Sequence, residues 1–353
     1  MNARLWIPML LLTTGQALSQ GFAGLGTDAE GFAVPAPDPQ FAFPADHGPH
    51  PSYRIEWWYL TATLTGADGR DYGIQWTLFR SALRPEEAEG WDAAQLWMGH
   101  AGVTTEDAHF YAERLGRGGV GQAGVTPDPF EAWIDDWAMI STAPTGADAL
   151  SALELTARGA DFSYDLDLRA TGPLVFHGDE GYSVKSADGQ ASYYYSQPFY
   201  EVSGRLTLPD GPTEVTGSAW LDREWSSQPL SADQNGWDWF SLQFADGARL
   251  MGFGLRSATR PTYTSATWIG PDGSATAYPD GALRLTPLRT ESVSGRDVPV
   301  EWRMELAARD IDVETVALNP QSWMGTSFPY WEGPIRFSGS HEGRGYLEMT
   351  GNE

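Results

Sequence analysis

The chain has 353 residues, among them 16 Trp, 14 Tyr and 15 Phe, and a formal net charge of −25. That acidity argues against a duplex nucleic-acid binder, which needs basic patches, and against attraction to an anionic membrane surface. The absence of cysteine excludes disulfides, thiolate nucleophiles and Cys-ligated metals.

The first predicted element is a targeting segment. Met1-Asn-Ala-Arg4 is a short basic region, Leu5 to Leu12 is apolar, and Ala17-Leu-Ser19 has the small-x-small form of a cleavage site. Residues 1–19 are therefore expected to be a signal peptide and the protein to be periplasmic or secreted. The apolar run is too short to span a bilayer, so no membrane span is expected. Residues 20–45, with Pro35, Pro37, Pro39 and Pro44, read as an extended lead-in.

Beyond the lead-in the chain reads as all-β. Its 40 Gly and 24 Pro are spread between short aromatic and β-branched runs, and no long helical periodicity appears. Strands are expected at 97–105, 131–141, 162–170, 191–197, 263–269, 283–290 and 300–307, with little helix. Glu56-Trp-Trp-Tyr-Leu-Thr-Ala-Thr-Leu64, the turn Ala67-Asp-Gly69 and Ile74 to Ser81 form one expected hairpin. Trp237-Asp-Trp-Phe-Ser-Leu-Gln-Phe244, Ala245-Asp-Gly247 and Leu250 to Ser257 repeat it. In the second copy Phe240, Leu242 and Phe244 alternate with Ser241 and Gln243, which predicts one buried and one polar face. Val202-Ser-Gly204 with Val215 to Trp220 is echoed by Phe337-Ser-Gly339 with Gly345 to Thr350. The expectation is an internal duplication giving two tandem antiparallel β-barrels, at 46–225 and 226–353. A barrel of about eight strands leaves room for one small ligand or is filled by its own side chains.

Candidate chemistry concentrates at Trp220-Leu-Asp-Arg-Glu-Trp225 and Trp237-Asp-Trp239. In a strand, Asp222 and Glu224 share a face and Arg223 points away. Charges among Trp rings are costly unless paired. One reading has Asp222 and Glu224 as catalytic carboxylates with separated proton affinities. The other has each satisfied by an arginine or by backbone amides. Glu56 and Trp57, after Asp46-His-Gly-Pro-His50, are the counterpart in the first half: either a His–Glu acid–base pair or a proline-shaped loop packed on the barrel. His100 lies in a predicted strand, as a core residue or a catalyst. In Tyr193-Tyr-Tyr195, Tyr194 should face opposite to its neighbours, to pack or to orient a polar ligand atom. There is no nucleophile elbow, P-loop, dinucleotide fingerprint or HExxH motif. No cofactor or metal is expected.

Together, Phe43 to His50, Tyr53 to Tyr59, Glu113-Arg114, Gly181 to Ser183, Tyr194 to Ser196, Trp220 to Ser226, Gly236 to Phe240 and Gly345 to Gly351 resemble the secreted AttH-like family, related to carotenoid 1,2-hydratases. The resemblance implies two lipocalin-like domains and a pocket for an apolar, lipid- or polyene-like molecule. It also implies either cofactor-independent hydratase, isomerase or hydrolase chemistry, or a carrier role beside a membrane ABC exporter. By the hydratase pattern an acid protonates a double bond and aromatic rings stabilise the cation. Here Asp222 or Glu224 would be the acid, with Tyr194 or His100 orienting water. Trp57, Glu56, Trp220, Arg223, Trp225, Trp237, Asp238 and Trp239 would hold the ligand. The chain departs from that pattern where Asp238 stands in place of a His and where Phe253-Gly-Leu255 lacks an acid.

Overall fold

The computed structural model describes residues 30–351 except Glu87 and Pro229. The expected signal peptide and the lead-in's first ten residues lie outside them. Two antiparallel sheets make up almost all of the regular structure among the described residues, and helix is confined there to three 3-10 turns of three residues each.

The first sheet holds β1 (Ile55–Gly66), β2 (Asp71–Ala82), β3 (Gln95–Thr104), β4 (His109–Arg117), β5 (Ala123–Pro127), β6 (Phe130–Ile134) and β7 (Trp137–Ser141). It continues with β8 (Ala152–Arg158), β9 (Ser163–Ala170), β10 (Val175–Phe176), β11 (Tyr182–Val184), β12 (Ala191–Leu208) and β13 (Gly211–Ser226). Their order is β4-β3-β2-β1-β13-β12-β9-β8-β7-β6-β5, with β10 and β11 beside β12. The second sheet holds β14 (Gln234–Phe244), β15 (Arg249–Ser257), β16 (Tyr263–Ile269), β17 (Ala275–Tyr278), β18 (Arg284–Val293) and β19 (Arg296–Leu306). Its remaining strands are β20 (Ile311–Ala317), β21 (Trp323–Met324), β22 (Tyr330–Gly339) and β23 (Gly343–Met349). Their order is β17-β16-β15-β14-β23-β22-β20-β19-β18, with β21 beside β22.

Both sheets follow one plan. The first strand pairs with the last, β1 with β13 and β14 with β23. Each curled sheet breaks after its fourth strand, so the result is two nearly closed barrels in tandem. Local chemistry repeats too. Asp68 and Asp246 each accept a backbone N–H from two residues on, at Arg70 and Ala248, and Gly69 and Gly247 adopt φ of +80° and +93°. Only glycine takes those angles freely.

Two expectations change in detail. The single strand expected at 131–141 is two, β6 and β7, because Asp135 adopts φ +53° and reverses the chain. The run 191–197 and the separate Val202 motif belong to one strand, β12, which continues through a bulge between Gln197 and Tyr200.

Alternation along β1 and β14 builds three cores. Trp58, Leu60, Ala62 and Leu64 point into the first barrel. Phe240, Leu242 and Phe244 point into the second. The opposite faces, expected to be solvated, are buried against each other: Tyr59, Tyr194, Trp220, Trp239, Phe253, Tyr330 and Tyr346 form a third cluster between the barrels. Ser241 is buried there, and Ser218 donates to Gln243 across the junction. The polar stripe of β14 is thus an internal contact surface.

Candidate functional site

Transverse rows of side chains on the first barrel's outer face define the site. Antiparallel register places Phe79, Trp57, Glu224 and Tyr194 opposite one another across β2, β1, β13 and β12. The neighbouring row runs His100, Thr77, Tyr59, Asp222 and Ser196. The second barrel contributes a facing row in which Trp239 stands opposite Phe253 and Glu348, and Glu348 opposite Glu332. Between them lies a narrow slot lined by Trp57, Tyr59, Phe79, Tyr194, Asp222, Glu224, Trp237, Trp239 and Glu348. An adjoining lobe extends past Lys185, Leu230, Phe253 and Leu255.

Asp222 accepts from Tyr194 Oη at 2.8 Å, from Ser196 and from the indole N–H of Trp220. Neither arginine nor backbone amides satisfy it. Burial pushes its carboxyl up to about 7; the three donors pull down and Glu224 adds to the rise. Glu224 accepts from Ser192 and pairs with Lys185 Nζ at 2.8 Å. The Lys185 ammonium also lies over the Tyr194 and Phe253 rings, at 4.7 and 4.3 Å.

The second barrel supplies carboxylates that the sequence reading passed over. Glu348 accepts from Trp237 Nε1 at 2.6 Å, and burial pushes it up to about 7, with Asp222 and Glu224 adding to the rise. Glu332, also buried, lies 2.6 Å from the Tyr59 hydroxyl; burial and then Glu348 hold it well above the usual carboxylate range. Period-two alternation in Gly345 to Thr350 puts Tyr346, Glu348 and Thr350 on one face. That was the available signal for Glu348. Glu332 had none, because its role depends on pairing with β23.

Of the residues singled out from sequence, Asp222, Glu224, Tyr194, Trp57, Trp237 and Trp239 line the slot together. Trp220 stands behind the lining, bonded to Asp222 and edge-on to Trp239. Tyr194 faces opposite to Tyr195, whose hydroxyl bonds His47 Nδ1 at 2.7 Å inside the first barrel. Glu56, Arg223 and Trp225 are on that inner face as well and do not line the slot. Burial alone would raise Glu56, but Arg80, His50 and Arg223 outweigh it and hold it well below the usual range. Arg223 bonds Gly48 O and Trp57 O at 2.7 and 2.9 Å and lies 3.8 Å above the Trp58 ring. His50 stacks on Trp225 at 3.9 Å. This cluster binds the proline loop to the barrel. Asp238, on the face of β14 that turns away from the slot, pairs with Arg256. His100 is three strands from Asp222 in its row, about 14 Å away. It bonds Glu113 and Tyr330, and burial lowers its proton affinity. Among the described residues no group of three or more His, Asp or Glu could hold a metal ion, and no helix is long and apolar enough to cross a membrane.

Paired antiparallel barrels with an acid-lined aromatic slot between them define a class of two-barrel, lipocalin-like proteins. Within it, residues 34–352 match the AttH-like family, and the chain belongs to that family. It is similar to an AttH structure from Nitrosomonas europaea, with 29% identity, 91% of this chain and 100% of that one covered, and a TM-score of 0.80. It shares its fold with kievitone hydratase from Nectria haematococca (17% identity, 88% and 92% covered, TM-score 0.67). A structure of CghA with Sch210972 is similar at 14% identity, with 92% and 97% covered and a TM-score of 0.54. Among curated proteins, none matches the chain significantly.

Proposed function

We propose that the inter-barrel slot adds water to, or isomerises, a carbon–carbon double bond of a small neutral apolar molecule by acid catalysis without a cofactor. The observation that carries this reading is the placement of Asp222 and Glu348, both pushed up to about 7 by burial, in one slot walled by Trp57, Trp237 and Trp239. A carboxyl titrating near neutrality can both give and take a proton there. Glu348 is the acid in this reading: its proton goes to one alkene carbon and a C–H bond forms. The faces of the Trp rings stabilise the cation at the other carbon. Water then forms the C–O bond and loses a proton to Asp222, whose carboxylate form is already served by three donors. The carboxyls of Asp222, Glu224 and Glu348 in the lining, with Lys185 already paired to Glu224, disfavour an anionic ligand.

Support of a second kind comes from the fold shared with a protein named as a hydratase. The slot's size favours turnover of a short reactive segment over shelter of a whole lipid, so the carrier reading beside an ABC exporter ranks second. Periplasmic or secreted location remains part of the proposal, tested by N-terminal sequencing of the protein from its native host. The reaction is tested by incubating the protein with neutral prenylated and polyene compounds in 18O-water. A product carrying one added labelled oxygen, or an isomer of the starting compound, supports the reading. A co-purifying intact lipid with no turnover of any compound favours the carrier.

A further inference from the structure

The donors on Asp222 can be counted atom by atom. Oδ2 accepts from Tyr194 Oη at 2.8 Å. Oδ1 accepts from the Ser196 hydroxyl and from Trp220 Nε1, the latter at 2.5 Å. A carboxylate has about two acceptor positions on each oxygen, so Oδ1 is filled and one position on Oδ2 stays open. Two of the three donors have a fixed direction, because an indole N–H only donates. Trp220 cannot reverse. Trp239 Nε1 donates to Tyr194 Oη at 3.1 Å, and the phenol turns its own hydrogen to Asp222.

The third donor depends on its neighbour. Ser196 carries one hydroxyl hydrogen and lies between Asp222 and His177 Nε2, 2.7 Å from the latter. If Nε2 carries a proton, it donates to Ser196 and the serine's hydrogen goes to Asp222. If Nε2 is bare, it takes that hydrogen, and Ser196 is left to accept a proton from Asp222. His177 follows β10, is fully buried and packs its ring 4.2 Å from that of Tyr194. Burial, and then the charge of Lys185, pushes the imidazole down to about 3, so the ring is neutral and holds one N–H. Nδ1 has no partner among the described residues. A hydrogen there would be an orphaned buried donor, which proteins rarely keep; on Nε2 it is paired. Ser196 itself is buried, lies outside the slot lining and spends its hydroxyl on Asp222. In a hydrolytic triad the imidazole stands between serine and carboxylate, whereas here the serine stands between the other two.

We propose that His177, as its Nε2–H tautomer, is a positioning residue that acts through Ser196 to fill Oδ1 of Asp222 and leave Oδ2 as the oxygen that takes the proton. The proposal rests on Asp222 being the base of the slot. Once water has added to the cation, one of its O–H bonds breaks. The electron pair stays on the oxygen now bonded to carbon, and the proton joins Oδ2. The titratable groups facing Asp222 are Tyr194, Glu224 on its own strand and Glu348 across the slot, with Lys185 beyond Glu224. None of them bonds Oδ1, so control of that oxygen falls to Ser196 and His177.

The test needs no substrate, so it separates this assignment from the reaction, which the labelled-water experiment decides. Nitrogen-15 NMR of the histidine rings at about pH 9, where the ring is neutral and Asp222 ionised, should find the His177 proton on Nε2; the signal missing from His177→Gln assigns it. A proton on Nδ1 would overturn the proposal. The midpoint of Asp222 is then followed by the infrared carboxyl band that Asp222→Asn loses. His177→Phe and Ser196→Ala should each raise it by about one pH unit, and the double variant should raise it no further. His177→Gln keeps a donor in the place of Nε2 and should stay near the wild type. An unchanged midpoint in His177→Phe, or additive shifts in the double variant, would overturn the proposal. If His177→Phe fails to fold, the tautomer of the wild type decides.

Discussion

Glu332 and Glu348 stand directly opposite each other on neighbouring antiparallel strands, both buried, in the register that brings side chains closest. Like charges placed so are destabilising, and here desolvation adds to the cost. The arrangement is tolerable because at least one carboxyl keeps its proton, and Glu332 accepts from the Tyr59 hydroxyl.

The first prediction follows from that protonation. The folded-state proton affinities of Glu348 and Asp222 lie near 7, above the ordinary values of 4.5 and 3.8, so between these limits the folded state binds more protons than the unfolded one. Stability is then fully present below about pH 4 and is lost as pH rises towards 7. Each group accounts for on the order of 3 kcal/mol. Urea midpoints measured at about pH 5 and 8 should fall with rising pH in the wild type and fall less in Glu348→Gln. An equal slope in that variant would place the titration elsewhere.

The second prediction concerns turnover. With a substrate found by water labelling, Glu348→Gln and Asp222→Asn should each lower kcat by about 10² to 10⁴-fold. Both replacements are nearly isosteric, so binding should change much less. If Glu224→Gln caused the larger loss, the acid would be the other carboxylate of β13. The pH–rate profile of the wild type should be bell-shaped around neutrality, reporting the pair rather than either residue alone.

Much of this architecture was legible in the chain. Short aromatic strands, Asp-Gly turns and the repeated hairpins around Ala67 and Ala245 imply two antiparallel barrels, and alternation correctly turned Asp222 and Glu224 away from Arg223. Of the second barrel's wall, only Trp237 and Trp239 were legible. Glu56, Arg223 and Trp225 looked like site residues because charge and Trp adjoin in sequence. In a strand, adjacent residues serve opposite faces, so half of each motif belongs to the barrel interior. Glu332, Lys185 and Tyr59 were missed because they join the slot through strand pairing and docking of the two sheets, which no local pattern encodes. Ser241 and Gln243 looked solvated for the same reason.

A third prediction isolates the pair of Lys185 and Glu224. Both are buried at 2.8 Å separation. Removing one partner leaves an uncompensated buried charge, at a cost of about 3 to 5 kcal/mol. Lys185→Met should therefore destabilise strongly, while Lys185→Met combined with Glu224→Gln should recover most of the loss. A double-mutant cycle by urea denaturation measures the coupling. Additive effects would show that Lys185 acts through its contacts with Tyr194 and Phe253 instead.

The last prediction tests the shared plan of the two barrels. Gly217 on β13 lies against the Thr63 carbonyl and Leu64 of β1, and Gly345 on β23 lies against the Ser241 carbonyl and Leu242 of β14. In both places a Cβ would overlap the carbonyl oxygen of the first strand of the barrel, where it pairs with the last. Backbone of the neighbouring strand cannot yield as a flexible side chain does. Gly217→Ala and Gly345→Ala should each destabilise by about 1 to 3 kcal/mol, the cost of forcing atoms into a packed site. The two losses should be similar in size, since the same two strands are forced apart in each barrel. Urea denaturation of each variant measures this. If Gly217→Ala were neutral while Gly345→Ala destabilised, the glycines would not be equivalent parts of a repeated closure.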